Sequence, residues 1–125
     1  KYVAELENYN PNLIIPKYSD DIKPSYHLFL INIMFDKLKK NKDHFIKYLN
    51  DHNIMAQYHY IPIYRFSVFG KKINYNKFPN SEYYFKNNLS LPLFYGLNLK
   101  KQNYILKKLS LFFKNLKWKN NLTFF

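Results

Sequence analysis

Residues 27–35, "HLFLINIMF", set apolar side chains on both faces of an extended chain. The odd positions are His27, Phe29, Ile31, Ile33 and Phe35; the even ones are Leu28, Leu30, Asn32 and Met34. A run that is apolar on both sides predicts a central strand covered on both faces. The pattern then changes period. Asn41 is placed to cap a helix, Asp43 complements its dipole in the first turn, and Phe45, Ile46 and Leu49 form one apolar stripe. Asn53 follows the last turn, where left-handed geometry is wanted. "IMAQYHY", residues 54–60, predicts a second strand. Together these make a strand–helix–strand unit of about 35 residues, a usual length for such a unit.

On either side the pattern is less regular. Tyr2, Val3 and Leu6 have helical spacing, but nothing ahead of them caps a helix. A helix cut in its middle suggests a piece of a longer chain, with a processed terminus as the alternative. Residues 9–26 hold three prolines among Asn, Ser and Asp, and predict an irregular connector with a short strand at Leu13–Ile15. Residues 67–78 predict a loop around Gly70. A short helix is expected from Pro79 or Asn80 to about Leu89. "LSLPLFYGLN" predicts a turn-rich connector. Asn98 can cap a final helix over about Leu99–Lys117, with Ile105, Leu109, Phe112 and Leu116 as its stripe. The fold class is α+β.

The chain has 125 residues, which suits one domain with a modest core. Cysteine is absent, which removes disulfides, thiolate nucleophiles and cysteine-ligated metals, and fits a cytoplasmic protein. There is no signal-peptide pattern, and the longest apolar stretch is of strand length, so no stable membrane anchor is expected. The net charge of +12 raises the question of nucleic acid. Yet Arg65 is the only arginine, and specific base and phosphate recognition leans on the arginine fork. Lys, Asn, Ile, Tyr and Phe all have AT-rich codons, so genome bias explains the charge without a polyanion partner. No nucleic-acid partner is expected.

The residues alone leave the chemistry open. His59 ends the expected second strand, where a side chain either projects into a cleft or packs among aromatic rings. His27 begins the neighbouring strand under the same two readings. His44 and His52 are eight residues apart, wider than metal-binding pairs such as HExxH, and are expected to be solvated. No acidic residue occurs after Glu82, and no carboxylate pair suggests acid–base work. Two glycines leave no glycine-rich phosphate loop. The last helix sets Lys100, Lys101, Lys107, Lys108, Lys114 and Lys117 beside Ile105, Leu109, Phe112, Phe113 and Trp118. That pattern belongs to a basic helix lying on an anionic membrane or to a surface helix with its stripe on the core.

The order of the motifs is more specific than any one of them. "SYHLFLI" (25–31), "HFIKYLNDHNI" (44–54), "YHYIPIY" (58–64), "LSLPLFYGL" (89–97) and a capped last helix follow one another. This order resembles the small C-terminal domain of the DegT/StrS-type sugar aminotransferases, pyridoxal-phosphate enzymes of the aspartate-aminotransferase fold (fold type I). Within that family the wording is closest to enzymes that aminate a UDP-linked 4-keto-6-deoxy sugar, as in the pseudaminic-acid pathway. The resemblance implies a division into the end of an inter-domain helix (1–8), a connector (9–26), the small domain (27–119) and a tail (120–125). It implies that pyridoxal 5'-phosphate, its Schiff-base lysine and its phosphate ligands belong to an N-terminal domain absent from this chain, which alone is expected to be inactive.

The resemblance also gives the ring cluster a role. The "HY" pair faces the sugar-nucleotide pocket in such enzymes, so His59 and Tyr60 become substrate-contact candidates. Tyr64 stands where many members have a second histidine, and so offers no titratable group near neutral pH. Tyr26 and His27 match the "YH" that opens the strand. Tyr95 replaces a proline of the "LPLYPGL" wording, which loosens that turn. The implied partners are a sugar nucleotide, glutamate, the N-terminal domain and a second subunit of a homodimer. Two other readings stay open: a free-standing basic module that binds membrane or nucleic acid through the last helix, and an inactive truncated remnant.

Overall fold

The computed structural model describes residues 1–9, 12–38, 40–69 and 73–114. Its elements in chain order are α1 (Tyr2–Leu6), β1 (Leu13–Ile14), β2 (Phe29–Ile33), α2 (Lys42–Asn50), α3 (Pro79–Asn87), β3 (Asn88–Leu91) and α4 (Leu99–Lys114). Short 3-10 turns cover Ile63–Arg65, Ser67–Phe69 and Tyr75–Lys77 in the long stretch between α2 and α3.

The three strands form one antiparallel sheet in the order β1–β2–β3, with β2 in the middle as its pattern predicts. Leu13 pairs with Ile33; Phe29, Leu30, Ile31 and Asn32 pair with Leu91, Ser90, Leu89 and Asn88. The strand is shorter than the expected 27–35. Its pairing with β3 ends at Phe29 and Leu91.

Two other expectations are corrected. Residues 54–60 do not form a strand. Only Gln57 bridges to Ser90, with Gln57 N–H donating at 3.2 Å and Ser90 N–H returning at 2.9 Å. The next pairings on either side fall on Pro92 and Asn88. Pro92 lacks a donor. Asn88 already donates its N–H to the Tyr84 carbonyl and accepts at its own carbonyl from the Lys42 amine. Both extensions are therefore blocked. Conversely, the start of the expected connector "LSLPLFYGLN" lies within β3, and all four residues of that strand are buried. The chain passes from α3 into β3 with no intervening loop, so no turn residue announces the strand.

The helices follow their patterns more closely. The Asn41 side chain accepts from the His44 N–H at 3.0 Å and caps α2. Asn98 does the same for α4 through the Lys101 N–H at 3.0 Å. Asn41→Ala should lower stability by about 1 kcal/mol, read as a shift in the urea midpoint with unchanged slope. Phe45 and Leu49 of α2, Ile105, Leu109, Phe112 and Phe113 of α4, and Tyr2 and Leu6 of α1 close over Ile31, Ile33, Leu89 and Leu91 of the sheet.

The apolar stripe of α4 is thus core. Lys100, Lys101, Lys107 and Lys114 are exposed, as are Leu99, Tyr104 and Leu111. Among the described residues no helix is long and apolar enough to cross one. Gly70, Leu116, Lys117, Trp118 and the 120–125 tail lie outside the described residues.

Candidate functional site

The bridge at Gln57 holds the chain beside β3 and delivers the next residues, Tyr58, His59 and Tyr60, to the end of the sheet. His59 is buried, at 9% exposure, and neither ring nitrogen has a hydrogen-bond partner. A buried imidazole normally satisfies at least one nitrogen. Burial pulls the His59 pKa below its ordinary value, and the nearby charge of His27 pushes the same way. The ring is therefore neutral near pH 7, with one N–H to give and one lone pair to accept. Tyr60 covers it edge-on, with ring centroids 4.5 Å apart, and is itself 70% exposed.

His27 is exposed and shares a 3.2 Å hydrogen bond with the Ser25 hydroxyl. Tyr26 is 65% exposed, with a left-handed φ of 52°. A tyrosine there is strained by about 1 kcal/mol. The structure thus sets Tyr60 against His59, with His27 near enough for its charge to be felt there.

Tyr64 lies elsewhere, and its hydroxyl is already committed. It donates to Glu82 at 2.9 Å, and its ring stacks on Phe78 at 4.4 Å. Burial and the Glu82 carboxylate raise its pKa. Tyr60 and Tyr64 do share a groove of about 450 Å³, walled by Tyr60, Pro62 and Tyr64 on one side and by Asn80, Ser81 and Tyr84 of α3 on the other.

A larger cavity, of about 680 Å³, lies between the N-terminal turn of α2 and the C-terminal half of α3. Lys42, 6% exposed, lies on its wall. The amine donates to the carbonyls of Phe85 and, at 3.2 Å, Asn88, and it sits over the rings of Tyr58 at 4.4 Å and Phe85 at 4.5 Å. Burial pulls its pKa down to about 8, against the smaller opposing pull of Asp43. Tyr58 donates its hydroxyl to Asp43, and its pKa is pushed up to about 12, chiefly by burial. Nothing in the sequence singled out Lys42, because a lysine in the first turn of a helix is ordinarily solvated.

These donors do not make a pyridoxal-phosphate site. Lys42 is closed between two rings and turned onto main-chain carbonyls, so its amine is not presented to a cofactor. No step is assigned to it. His44 and His52 serve local structure. His44 contacts its own cap residue Asn41 at 2.8 Å, and the His52 Nδ1–H donates to the Tyr48 carbonyl at 2.8 Å. His44 is solvated as expected, whereas His52 is half-buried against the Tyr48 ring. Among the described residues no group of three or more His, Cys, Asp or Glu is placed to hold a metal.

Comparison with known proteins gives this arrangement its context. The chain is 32% identical over 104 residues to the UDP-4-amino-4,6-dideoxy-N-acetyl-beta-L-altrosamine transaminase of Campylobacter jejuni, covering 83% of this chain and 27% of that protein. It is 33% identical over 87 residues to the spore coat polysaccharide biosynthesis protein SpsC of Bacillus subtilis, covering 67% and 22%. Among solved structures it superposes on Helicobacter pylori PseC, an aminotransferase involved in the biosynthesis of pseudoaminic acid. The TM-score is 0.74 at 25% identity, over 90% of this chain and 30% of that one. The chain spans about a quarter of the length of these curated relatives. Residues 1–110 match the DegT/DnrJ/EryC1/StrS aminotransferase family, and the chain belongs to that family.

Proposed function

We propose that this chain is the C-terminal small domain of a pyridoxal-phosphate-dependent sugar-nucleotide aminotransferase, and that it meets the substrate through His59 and Tyr60. The whole enzyme would move an amino group from glutamate to a 4-keto-6-deoxy sugar nucleotide, for surface glycan synthesis in the cytoplasm. It would do so as a homodimer. Residues 1–8 would end the inter-domain helix, 9–26 would connect, 27–119 would form the domain and 120–125 its tail.

The observation that carries this reading is the pair of unpartnered ring nitrogens on buried His59. A neutral imidazole can hydrogen-bond a sugar hydroxyl or carbonyl with either nitrogen once the exposed Tyr60 ring that covers it turns aside, and the substrate would then satisfy the nitrogens that this chain leaves unpartnered. Tyr60 offers a ring face and a hydroxyl beside it. Tyr26 and His27, which precede β2, would be further contacts, with the His27 charge already felt at His59. Tyr64, with its hydroxyl on Glu82, would serve as a wall rather than as a donor. The exposed side chains of Ile61, Ile63, Phe66 and Val68 continue this surface. An apolar patch of this kind marks a contact face, here assigned to the N-terminal domain. That domain would hold pyridoxal 5'-phosphate, whose chemistry is an electron sink for the carbon bearing the amine.

His59→Ala in the full polypeptide should lower sugar-nucleotide kcat/KM by about 10–100-fold, the cost of losing one or two buried hydrogen bonds to substrate. The visible absorption of the bound cofactor and its bleaching by glutamate should be unchanged. Unaltered kinetics would remove His59 from the site. A native polypeptide that is colourless and inert to glutamate would sink the aminotransferase reading itself.

A further inference from the structure

Arg65 is the single arginine among 20 basic side chains, in a chain that otherwise uses lysine at every Lys/Arg position. Its surroundings need a planar fork rather than a point charge. Nε donates to Glu82 Oε1 at 3.0 Å and Nη2 donates to Oε2, a bidentate pair with side chains only 28% and 12% exposed. The guanidinium plane lies over the rings of Tyr75 at 4.4 Å and Phe85 at 5.0 Å. Glu82 also accepts from Tyr64. An ammonium can make neither the fork nor the stacked contact.

The backbone shows why such a clamp is needed. Among the described residues, the chain after the Gln57 bridge makes no strand pairing until β3, and the main-chain bonds of 62–69 are local: Arg65 N–H to Pro62 O, Phe66 N–H to Ile63 O, Phe69 N–H to Phe66 O. Short 3-10 turns set local shape but not position. The Tyr64–Arg65–Glu82 cluster joins this segment to α3, and the groove containing Tyr60 runs between the two.

We propose that Arg65 is a positioning residue: through its fork on Glu82 it holds the 60–69 segment on α3 and so fixes where Tyr60 and the groove meet the sugar nucleotide. The second half of this statement rests on the aminotransferase reading above; the clamp itself does not.

The test compares Arg65→Lys and Glu82→Gln with wild type in the full polypeptide, using UDP-4-amino-4,6-dideoxy-N-acetyl-beta-L-altrosamine and 2-oxoglutarate as substrates. Backbone hydrogen exchange is followed in parallel. Each variant should raise KM for the nucleotide about tenfold while kcat and KM for 2-oxoglutarate stay within about threefold. Amides of residues 61–69 should exchange about tenfold faster, and those of β2 and β3 should not. Lysine keeps the charge, so failure of Arg65→Lys to rescue identifies the fork.

A nucleotide KM within about twofold of wild type overturns the positioning role. So does a parallel loss in all parameters with faster exchange throughout the sheet, which would mean general unfolding. If wild type does not turn over the nucleotide, the aminotransferase reading has failed with this substrate, and exchange alone decides Arg65. Faster exchange confined to 61–69 upholds the clamp, and unchanged exchange ends it.

Discussion

Phe45→Ala should lower the stability of the domain by about 3–5 kcal/mol, the range for removing a fully buried aromatic ring. Phe45 is completely inaccessible to solvent. Its ring lies 5.9 Å from Phe35, 4.7 Å from Phe112 and 5.8 Å from Phe113, so it joins α2 to α4 and to the end of β2. Three rings held on two other segments do not collapse readily into the space left by one. The cavity would therefore persist and add to the lost transfer free energy. Domains of this size are stable by only about 5–15 kcal/mol, so the variant should lose a large share of that stability. Urea denaturation followed by circular dichroism measures it. Phe94→Ala, at a half-exposed ring, is the control and should stay within about 0.5 kcal/mol. Equal effects from the two variants would mean that the aromatic cluster is not the core.

Lys42→Ala should lower stability by about 2–4 kcal/mol, through a different mechanism: two main-chain acceptors would lose their donor. The amine bonds the carbonyls of Phe85, in the last turn of α3, and Asn88, its C-cap. Helix C-termini leave such carbonyls without partners, and a cation there also meets the negative end of the dipole. Lys42 is in this way the C-terminal cap of α3, supplied by α2. Its pKa of about 8 nevertheless shows that desolvation outweighs these contacts for the charged form.

The sign of the pH dependence follows. The folded pKa lies below the ordinary 10.5, so between about pH 8 and 10.5 the unfolded chain holds more protons than the folded one. Stability then rises with pH. The neutral amine still donates its hydrogen bonds and no longer carries the desolvation penalty. The gap between wild type and Lys42→Ala should widen by on the order of 1–2 kcal/mol from pH 7 to pH 9.5. Stopping at pH 9.5 limits the opposite contribution of Tyr58, whose raised pKa makes stability fall at higher pH. A gap that is constant with pH would mean that Lys42 is solvated.

The candidate site was legible to different degrees. His59 and Tyr60 stood out because a histidine between tyrosines closes an apolar run just before a proline. Their flanks suggested a pocket wall, but only the packing revealed that both His59 nitrogens go unpartnered. Tyr64 looked equally available. Glu82, 18 residues on in the chain, takes its hydroxyl, and no local pattern connects the two. Arg65 carried a compositional signal as the lone arginine, and Glu82 a weaker one as the last acid in the chain. Their pairing became visible only when α3 folded back on the segment before it.

Local periodicity by itself determined α2, the core of β2 and, among the described residues, α4, including both asparagine caps and the buried positions Phe45, Ile46, Leu49, Ile105, Leu109 and Phe112. Those features depend on residues within one or two turns of each other, and the side-chain period records them directly. Tertiary structure alone decided the sheet edge beyond β3. Whether 54–60 pairs depends on Pro92, which has no N–H, and on Asn88, whose groups are taken by Tyr84 and Lys42. Likewise Asn88–Leu91 became a strand because β2 was there to pair with, not because its four residues alternate. Hydrogen bonds between segments distant in sequence are settled by what else competes for each donor and acceptor, and that competition is written in space rather than along the chain.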